Sequence, residues 1–503
     1  MTSHSTPRRR RIVGVFSALL AWWLAWGDAE AATAPRSVPE RGRPNFLVLV
    51  ADDLTFRAVG VTALSGVKTP HIDRLAGRGA RFSHAFIQGG LGGAVCVTSR
   101  ATLMTGRSLW SCGKDGDCTR DGKAFYPLWG RVLGDAGYRT FAVGKWHNGK
   151  AALDAGFETA RSVVLGGMFE STSQNGAAYG RPAPGNPWTP DDPMWKGHWL
   201  AKGGKTVHSS ESWADAAIEH LGESSRDHRP FFLYVAFHAP HDPRQSPREY
   251  LDMYPPSSLK LPPNLLPLHP FDLGGFKGRD ELLAPYPRTE SVIRTHLSEY
   301  YAIVGHLDAQ IGRILEVLDR SGQADNTVVI FTADNGLAVG QHGLMGKQCL
   351  YDHSVRVPLI LTGPGVPVGK TIDALVYMPS LFATTCEMAG VATPETVEFP
   401  SLVPLINGRK ARLLEDVYAA YINRQRMLRT ERWKLTITPD AGMVQLFQVR
   451  DDPWEQYNLA ADPQYESVLA DLYARLKRWM KRVNDPLPLV TLDAAIDAYQ
   501  RGR

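Results

Sequence analysis

Two short runs constrain the fold more than any other feature of the chain: residues 45–51, Asn-Phe-Leu-Val-Leu-Val-Ala, and residues 327–333, Thr-Val-Val-Ile-Phe-Thr-Ala. Neither alternates apolar with polar residues, so neither has a face suited to water. Strands of this kind belong inside a parallel sheet covered by helices on both faces. The first run ends in Asp52-Asp53 and the second in Asp334-Asn335. Ligands of open α/β sheets bind outside the carboxyl ends of the strands, so these side chains are placed for a site, the competing reading of Asp52-Asp53 alone being a turn cap. Carboxylates joined by an amide oxygen suit a hard divalent cation, calcium or magnesium, and suit zinc poorly. Crowded carboxylates repel one another, and a cation relieves that repulsion.

The same grammar recurs between the two runs. Residues 141–147 form an apolar stretch running into Lys145 and His147, and residues 231–237 lead to His238-Ala239-Pro240-His241. Amphipathic patterns at residues 212–221 and 298–318 predict covering helices with core-facing stripes. Residues 168–205 are rich in Gly, Pro, Asn and Trp without helical or strand period, so they read as a long loop whose tryptophans either stack on sugar rings or pack the loop down. From about residue 404 the segments shorten: strands within residues 427–437 and 444–449, then a helix over residues 465–483.

A further stretch carries chemistry. Cys96 follows a glycine-rich loop (Gly89, Gly90, Gly92, Gly93) and precedes a short helical pattern, so its side chain faces free backbone N–H groups and the positive helix end. Arg100 and Arg107 can hold oxyanions through bidentate forks. The bland reading is an inert buried cysteine beside surface arginines.

The order Cys96-Val97-Thr98-Ser99-Arg100, followed by Leu103-Met104-Thr105-Gly106-Arg107, resembles the signature of the formylglycine-dependent type I sulfatases, members of the alkaline-phosphatase-like superfamily. The chain departs from that pattern at Thr98, where the family usually carries proline or alanine. The resemblance extends over about residues 44–479. It implies an α/β fold with a large, mostly parallel central sheet between helices and a small C-terminal subdomain of antiparallel sheet plus helix. It further implies that Cys96 is converted to formylglycine by a formylglycine-generating enzyme, and that Asp52, Asp53, Asp334 and Asn335 hold one divalent cation, calcium ahead of magnesium. Arg100 would stabilise the modified residue, Lys145 and Lys347 would grip the sulfate, and His147 would help to expel it. His238 or Lys347 would protonate the leaving oxygen. Lys347 lies in Gly343-Leu344-Met345-Gly346-Lys347, which with residues 351–358 resembles another sulfatase segment. His241 reads as a supporting or purely structural residue, His342 and His353 are less firmly assigned, and Arg356 is expected to hold its loop by an ion pair. The implied activity is hydrolysis of a sulfate ester on a carbohydrate, with a small aryl or alkyl sulfate as competing substrate. The alternatives are a phosphoester or phosphonate hydrolase of the same superfamily, or a catalytically inactive binding protein on this scaffold.

The N-terminus reads as an export signal over residues 1–31: Arg8 to Arg11, an apolar run over residues 12–26, and an Ala29-Glu30-Ala31 cleavage pattern. A linker (residues 32–43), a catalytic domain (44–403) and a C-terminal subdomain (404–503) follow, and the expected destination is the periplasm or the exterior, without stable membrane insertion. The formal charge of +5 over 503 residues owes much to those leader arginines, and no basic stripe interleaved with aromatics points to nucleic acid. Among five cysteines, Cys112 and Cys118 flank a turn-rich stretch and can close a small disulfide loop; Cys349 and Cys386 either pair or stay reduced. Cys96 is then the odd one.

Overall fold

A computed structural model of the chain describes residues 42–62, 65–113, 116, 119, 126–167, 197–274 and 278–501. The expected export signal and most of the linker lie outside these residues. In chain order the strands are β1 (Asn45–Ala51), β2 (Ala80–Phe86), β3 (Gly89–Gly90), β4 (Arg139–Lys145), β5 (Thr159–Val164), β6 (Trp199–Lys202), β7 (Lys205–His208), β8 (Phe231–Ala236), β9 (Thr327–Ala333), β10 (Arg356–Thr362), β11 (Lys370–Tyr377), β12 (Val417–Tyr421), β13 (Gln425–Arg429), β14 (Lys434–Thr438) and β15 (Met443–Phe447).

The main sheet runs β11-β2-β10-β9-β1-β8-β4-β5. Only β10 is antiparallel to its neighbours; the remaining pairings are parallel. Every residue of β1 and β9 is buried, which is what their unbroken apolarity requires. Helices close both faces. Trp129 packs against Phe232, whereas His220 of the helix Ser209–Ser224 packs against Phe141, which is in register with Leu233. Alternation along β8 puts those two contacts on opposite faces. The longest described helix, Glu290–Arg320, starts where Thr289 Oγ1 accepts from the Val292 amide, and turns Ile293, Leu297, Tyr300, Val304, Leu307 and Ile311 into the core. Both covering helices extend beyond the spans expected for them: the helix Ser209–Ser224 opens on a polar turn without apolar signal, whereas the helix Glu290–Arg320 already turns Ile293 and Leu297 into the core ahead of the expected start.

The second sheet, β15-β14-β13-β12-β3, is antiparallel except at its last step. The stretch read as one strand within residues 427–437 is two, β13 and β14, joined by a turn at Thr430, which accepts from Trp433 N. The helix Glu466–Val483 buries Leu469, Leu472, Leu476 and Met480 against this sheet, an i, i+3, i+7 stripe. The sheet is tied to the loop before Cys96: Ala420 N donates to Gln88 O at 3.0 Å and Ile422 N to Gly90 O at 2.7 Å. Gly89 is needed there, since a Cβ would lie 2.2 Å from Ala420 O.

Part of the stretch read as a structureless loop is a hairpin. β6 and β7 pair antiparallel around Gly203-Gly204, both with positive φ, the turn chemistry that a two-residue hairpin loop needs. Trp188 and Trp195 lie outside the described residues, whereas Trp199 packs edge-on against His208, 5.3 Å between ring centres. Cys112 takes part in a disulfide, while Cys118 lies outside the described residues. Cys96, Cys349 and Cys386 are free and buried. No helix among the described residues is long and apolar enough to cross a membrane.

Candidate active site

Four adjacent strands, β9, β1, β8 and β4, run parallel and end at one edge of the sheet. Their carboxyl ends deliver Asp334-Asn335, Asp52-Asp53, His238 and Lys145 to the same place, all of them buried. Asp53 and His147 both have φ of 66°, a left-handed conformation that a residue with a Cβ adopts only where its surroundings enforce it. At Asp53 the enforcement is visible. Its amide donates to Asp334 Oδ1 at 3.3 Å, and its carbonyl accepts from Tyr300 Oη at 2.7 Å.

Cys96 sits in the first turn of the buried helix Val95–Thr105, whose N-cap, Ala94, offers no side-chain acceptor. The first-turn amides therefore face the site without a capping side chain. Thr98 is accommodated within the helix, its hydroxyl lying 2.9 Å from Val95 O and 3.2 Å from Gly89 O. One turn from Cys96, Arg100 donates from Nε to Asp334 Oδ2 at 2.8 Å and from Nη1 to Lys145 O at 2.8 Å, which locks the helix to the ends of β9 and β4. Cys96 Sγ lies 3.4 Å from His147 Nδ1. Burial pushes the Cys96 thiol up, against the pull of Lys145 and Lys347, so the unmodified side chain has little thiolate character.

Two ammonium groups meet the carboxylates: Lys145 Nζ bonds Asp52 Oδ2 and Lys347 Nζ bonds Asp53 Oδ1. Asn335 Nδ2 adds a bond to Asp53 Oδ1 at 2.7 Å. Three oxygens are left over. Asp52 Oδ1, Asp53 Oδ2 and Asn335 Oδ1 are buried and accept no hydrogen bond. Burial and the Asp334 carboxylate push Asp52 well above the usual carboxylate range, with Lys145 opposing. Asp53, equally buried, stays below its usual value because Lys347 and Lys145 outweigh burial. Buried, acceptor-only oxygens with no donor are the arrangement that a hard cation completes, so the residues present fit a calcium or magnesium ion. Both oxygens of Asp334 are already engaged, by Asp53 N and by Arg100.

The remaining candidates sort by position. Of the two histidines after β8, His241 turns its Nε2 to Asp53 Oδ2 at 3.7 Å, and Asp52, Asp53 and His241 each offer a ligand atom within 4.8 Å of the others. His238 stacks on Trp213, 5.0 Å between ring centres, and burial holds its pKa well below the ordinary value. Arg356 pairs with Asp352 at 3.5 Å and lies over the Phe56 ring. Arg107, a candidate anion fork, is engaged by Glu398 at 3.6 Å and by the Tyr126 ring. His342 and His353 belong to a packed cluster with Tyr351. Local sequence gave no sign of Tyr300, or of Glu281, whose carboxylate accepts from Met345 N and Gly346 N at 3.0 and 2.9 Å and so holds the turn that presents Lys347.

Comparison with known proteins decides the family. Residues 44–391 match the family model for sulfatases, and residues 340–482 match one described as N-sulphoglucosamine sulphohydrolase, C-terminal. The chain belongs to the sulfatase family. It is a sulfuric ester hydrolase. Among curated proteins it is 28% identical over 475 residues to a sulfatase of Formosa agariphila, with 87% of each chain covered. It is 24% identical to an N-acetylglucosamine-6-O-sulfatase of Bacteroides thetaiotaomicron, covering 91% of this sulfatase and 90% of that one. A structure solved in complex with its substrate, D-glucosamine-2-N,6-O-disulfate, superposes with a TM-score of 0.69 at 21% identity, covering 88% of this sulfatase and 99% of that chain. At that identity the superposition speaks for the fold, the mostly parallel α/β sheet with its small antiparallel companion.

Proposed function

We propose that this sulfatase hydrolyses a sulfate ester carried on a carbohydrate, with Cys96 converted to formylglycine and one calcium ion held by Asp52, Asp53, Asp334 and Asn335. The observation that carries the reading is the set of buried oxygens that accept no hydrogen bond, Asp52 Oδ1, Asp53 Oδ2 and Asn335 Oδ1, at a site that also contains Cys96 and His147 in contact. The sugar is supported by relatives: an ulvan-active sulfatase, 27% identical over 461 residues, and the N-acetylglucosamine-6-O-sulfatase.

When bound, formylglycine supplies an oxygen nucleophile and the cation supplies Lewis acidity. The chain's own residues do the rest. Arg100, fixed by Asp334 and the Lys145 carbonyl and with Tyr234 as a further neighbour, is a cationic donor beside residue 96. Lys145 and Lys347 balance the carboxylates and are within reach of sulfate oxygens that replace them. His147 Nδ1, 3.4 Å from the Cys96 sulfur, is placed to exchange a proton with the side chain of residue 96. His238 or Lys347 protonates the leaving oxygen, and His241, against Asp53, orients that carboxylate. Export, cleavage near Ala31, and the division into residues 44–403 and 404–503 belong to the same reading.

The test is the mass of the tryptic peptide 82–100 from protein coexpressed with a formylglycine-generating enzyme, combined with sulfate release from glucosamine 6-sulfate and phosphate release from the 6-phosphate. An aldehyde at Cys96 and release of sulfate alone are expected. Unmodified thiol in protein that is inactive on every ester would overturn the reading.

A further inference from the structure

A cavity of about 400 Å³ lies beside the catalytic centre and shares none of Cys96, Lys145, His147 or Lys347 with it. That volume falls in the range of small-ligand sites, about 300–1,000 Å³. Its walls are the segments just beyond the two acidic strand ends, Thr55 after Asp53 and Leu337 to Val339 after Asn335, closed by Tyr300 and Tyr301 of the long helix. Tyr300 is the partition, with its ring in the cavity wall and its hydroxyl on Asp53 O.

The lining is cationic. Among the described residues, Arg57, Lys68 and Lys260 line it and no acidic side chain does. Burial lowers the Arg57 pKa to about 10, outweighing the carboxylates of Asp352, Glu455 and Asp452, which act on it from outside the lining. Arg57 is the unusual member. It is 3% exposed, and its guanidinium is held by stacking on the Trp454 ring at 3.9 Å and by one bond from Nη2 to Pro453 O. Its Nε and Nη1 are buried with no hydrogen-bond partner. A buried guanidinium edge without an acceptor is costly, and an oxyanion satisfies it with parallel charge-assisted bonds. Thr55 Oγ1 and Gln341 Oε1 are likewise buried and unpartnered, and they suit sugar hydroxyls. Lys68 and Lys260 are exposed at the rim, where they favour an anion's approach.

We propose that this cavity is an anion subsite, in which Arg57 takes a sulfate borne on a sugar of a multiply sulfated glycan. The proposal rests on the reading of the substrate as a sulfated carbohydrate and narrows it to glycans that carry more than one sulfate. Free inorganic sulfate has the same chemistry, and the experiment separates the two.

Crystals of the full-length Cys96→Ala protein are soaked separately with sodium selenate and with a disulfated disaccharide. Density for a sulfate of the disaccharide at Arg57 Nε and Nη1 is expected. An empty cavity in both soaks, or occupation by selenate alone, overturns the proposal. In solution, calorimetry on the same protein compares disulfated with monosulfated disaccharide. The second sulfate is expected to tighten binding about tenfold, and Arg57→Gln is expected to remove that difference. Arg57 also packs against Trp454, so the rim variant Lys68→Glu/Lys260→Glu, in which both side chains are exposed, serves as a second probe and is expected to shrink the difference as well. A preference for the disulfated sugar that survives in both variants overturns the proposal. Neither measurement uses turnover, so failure of sulfate-ester hydrolysis and failure of the subsite are read separately.

Discussion

Tyr300 donates its phenolic proton to the backbone carbonyl of Asp53 at 2.7 Å and accepts from the Thr55 amide at 3.1 Å. The residue so gripped has φ of 66°, a conformation that costs about 1–3 kcal/mol and persists only under constraint. Tyr300→Phe removes the constraint without emptying the core position. Calcium affinity of the folded protein, titrated calorimetrically, is expected to fall about tenfold, with sulfate-ester turnover falling alongside. Loss of stability with unchanged calcium affinity would reduce Tyr300 to a packing residue.

Glu281 has a parallel role for Lys347. Its buried carboxylate collects the Met345 and Gly346 amides and is anchored by Arg288 Nη2 at 2.8 Å. Glu281→Ala leaves those amides without their acceptor and frees the turn, so Lys347 loses its approach to Asp53. Turnover is expected to drop about a hundredfold while the far-ultraviolet circular dichroism is unchanged. Activity within a few fold of wild type would show that the turn needs no such anchor.

How far the sequence reached depends on sequence distance. β1 and β9 and the acids that end them were legible because unbroken apolarity and a terminal polar pair are both local. The hairpin of β6 and β7 was missed because its strands are short and lie in a Gly/Trp-rich setting that masks period. β12 went unread, since Val417–Tyr421 stands alone as a short apolar run and gains its meaning only from pairing with β13 and Gly89–Gly90. Tyr300 and Asp53 are 247 positions apart, and on its helix the tyrosine is one more apolar-face residue. The choice between His238 and His241 was likewise beyond pattern reading, because both follow β8 and only the turn of the chain decides which ring meets Asp53.

The three buried oxygens that accept no hydrogen bond make a prediction about the cation itself. Chelation of divalent metal is expected to abolish turnover and lower the melting temperature, since a ligand bound only by the folded state stabilises it. Calcium should restore both. Asn335→Ala deletes one of those oxygens together with the amide that braces Asp53 Oδ1, and should weaken calcium binding about a hundredfold or more. A melting temperature indifferent to both chelator and calcium would argue that lysines alone neutralise the carboxylates.

Asp308 carries the last prediction, far from the chemistry. From the long helix it reaches the start of the helix Pro70–Arg78 and accepts from Ile72 N at 2.8 Å and His71 N at 3.1 Å, replacing the absent side-chain cap at Thr69. Burial raises its carboxyl to about 7, the two amide bonds opposing. The folded state therefore binds this proton more tightly than the unfolded chain, whose carboxyl titrates near about 3.9. Its contribution to stability is full below that unfolded value and is lost as pH rises towards about 7. Asp308→Asn cannot titrate, so the melting temperature of the wild type minus that of the variant should shrink steadily across that window and level off above it. A difference that stays flat or widens with pH would mean that the amide bonds, and not burial, control this carboxyl.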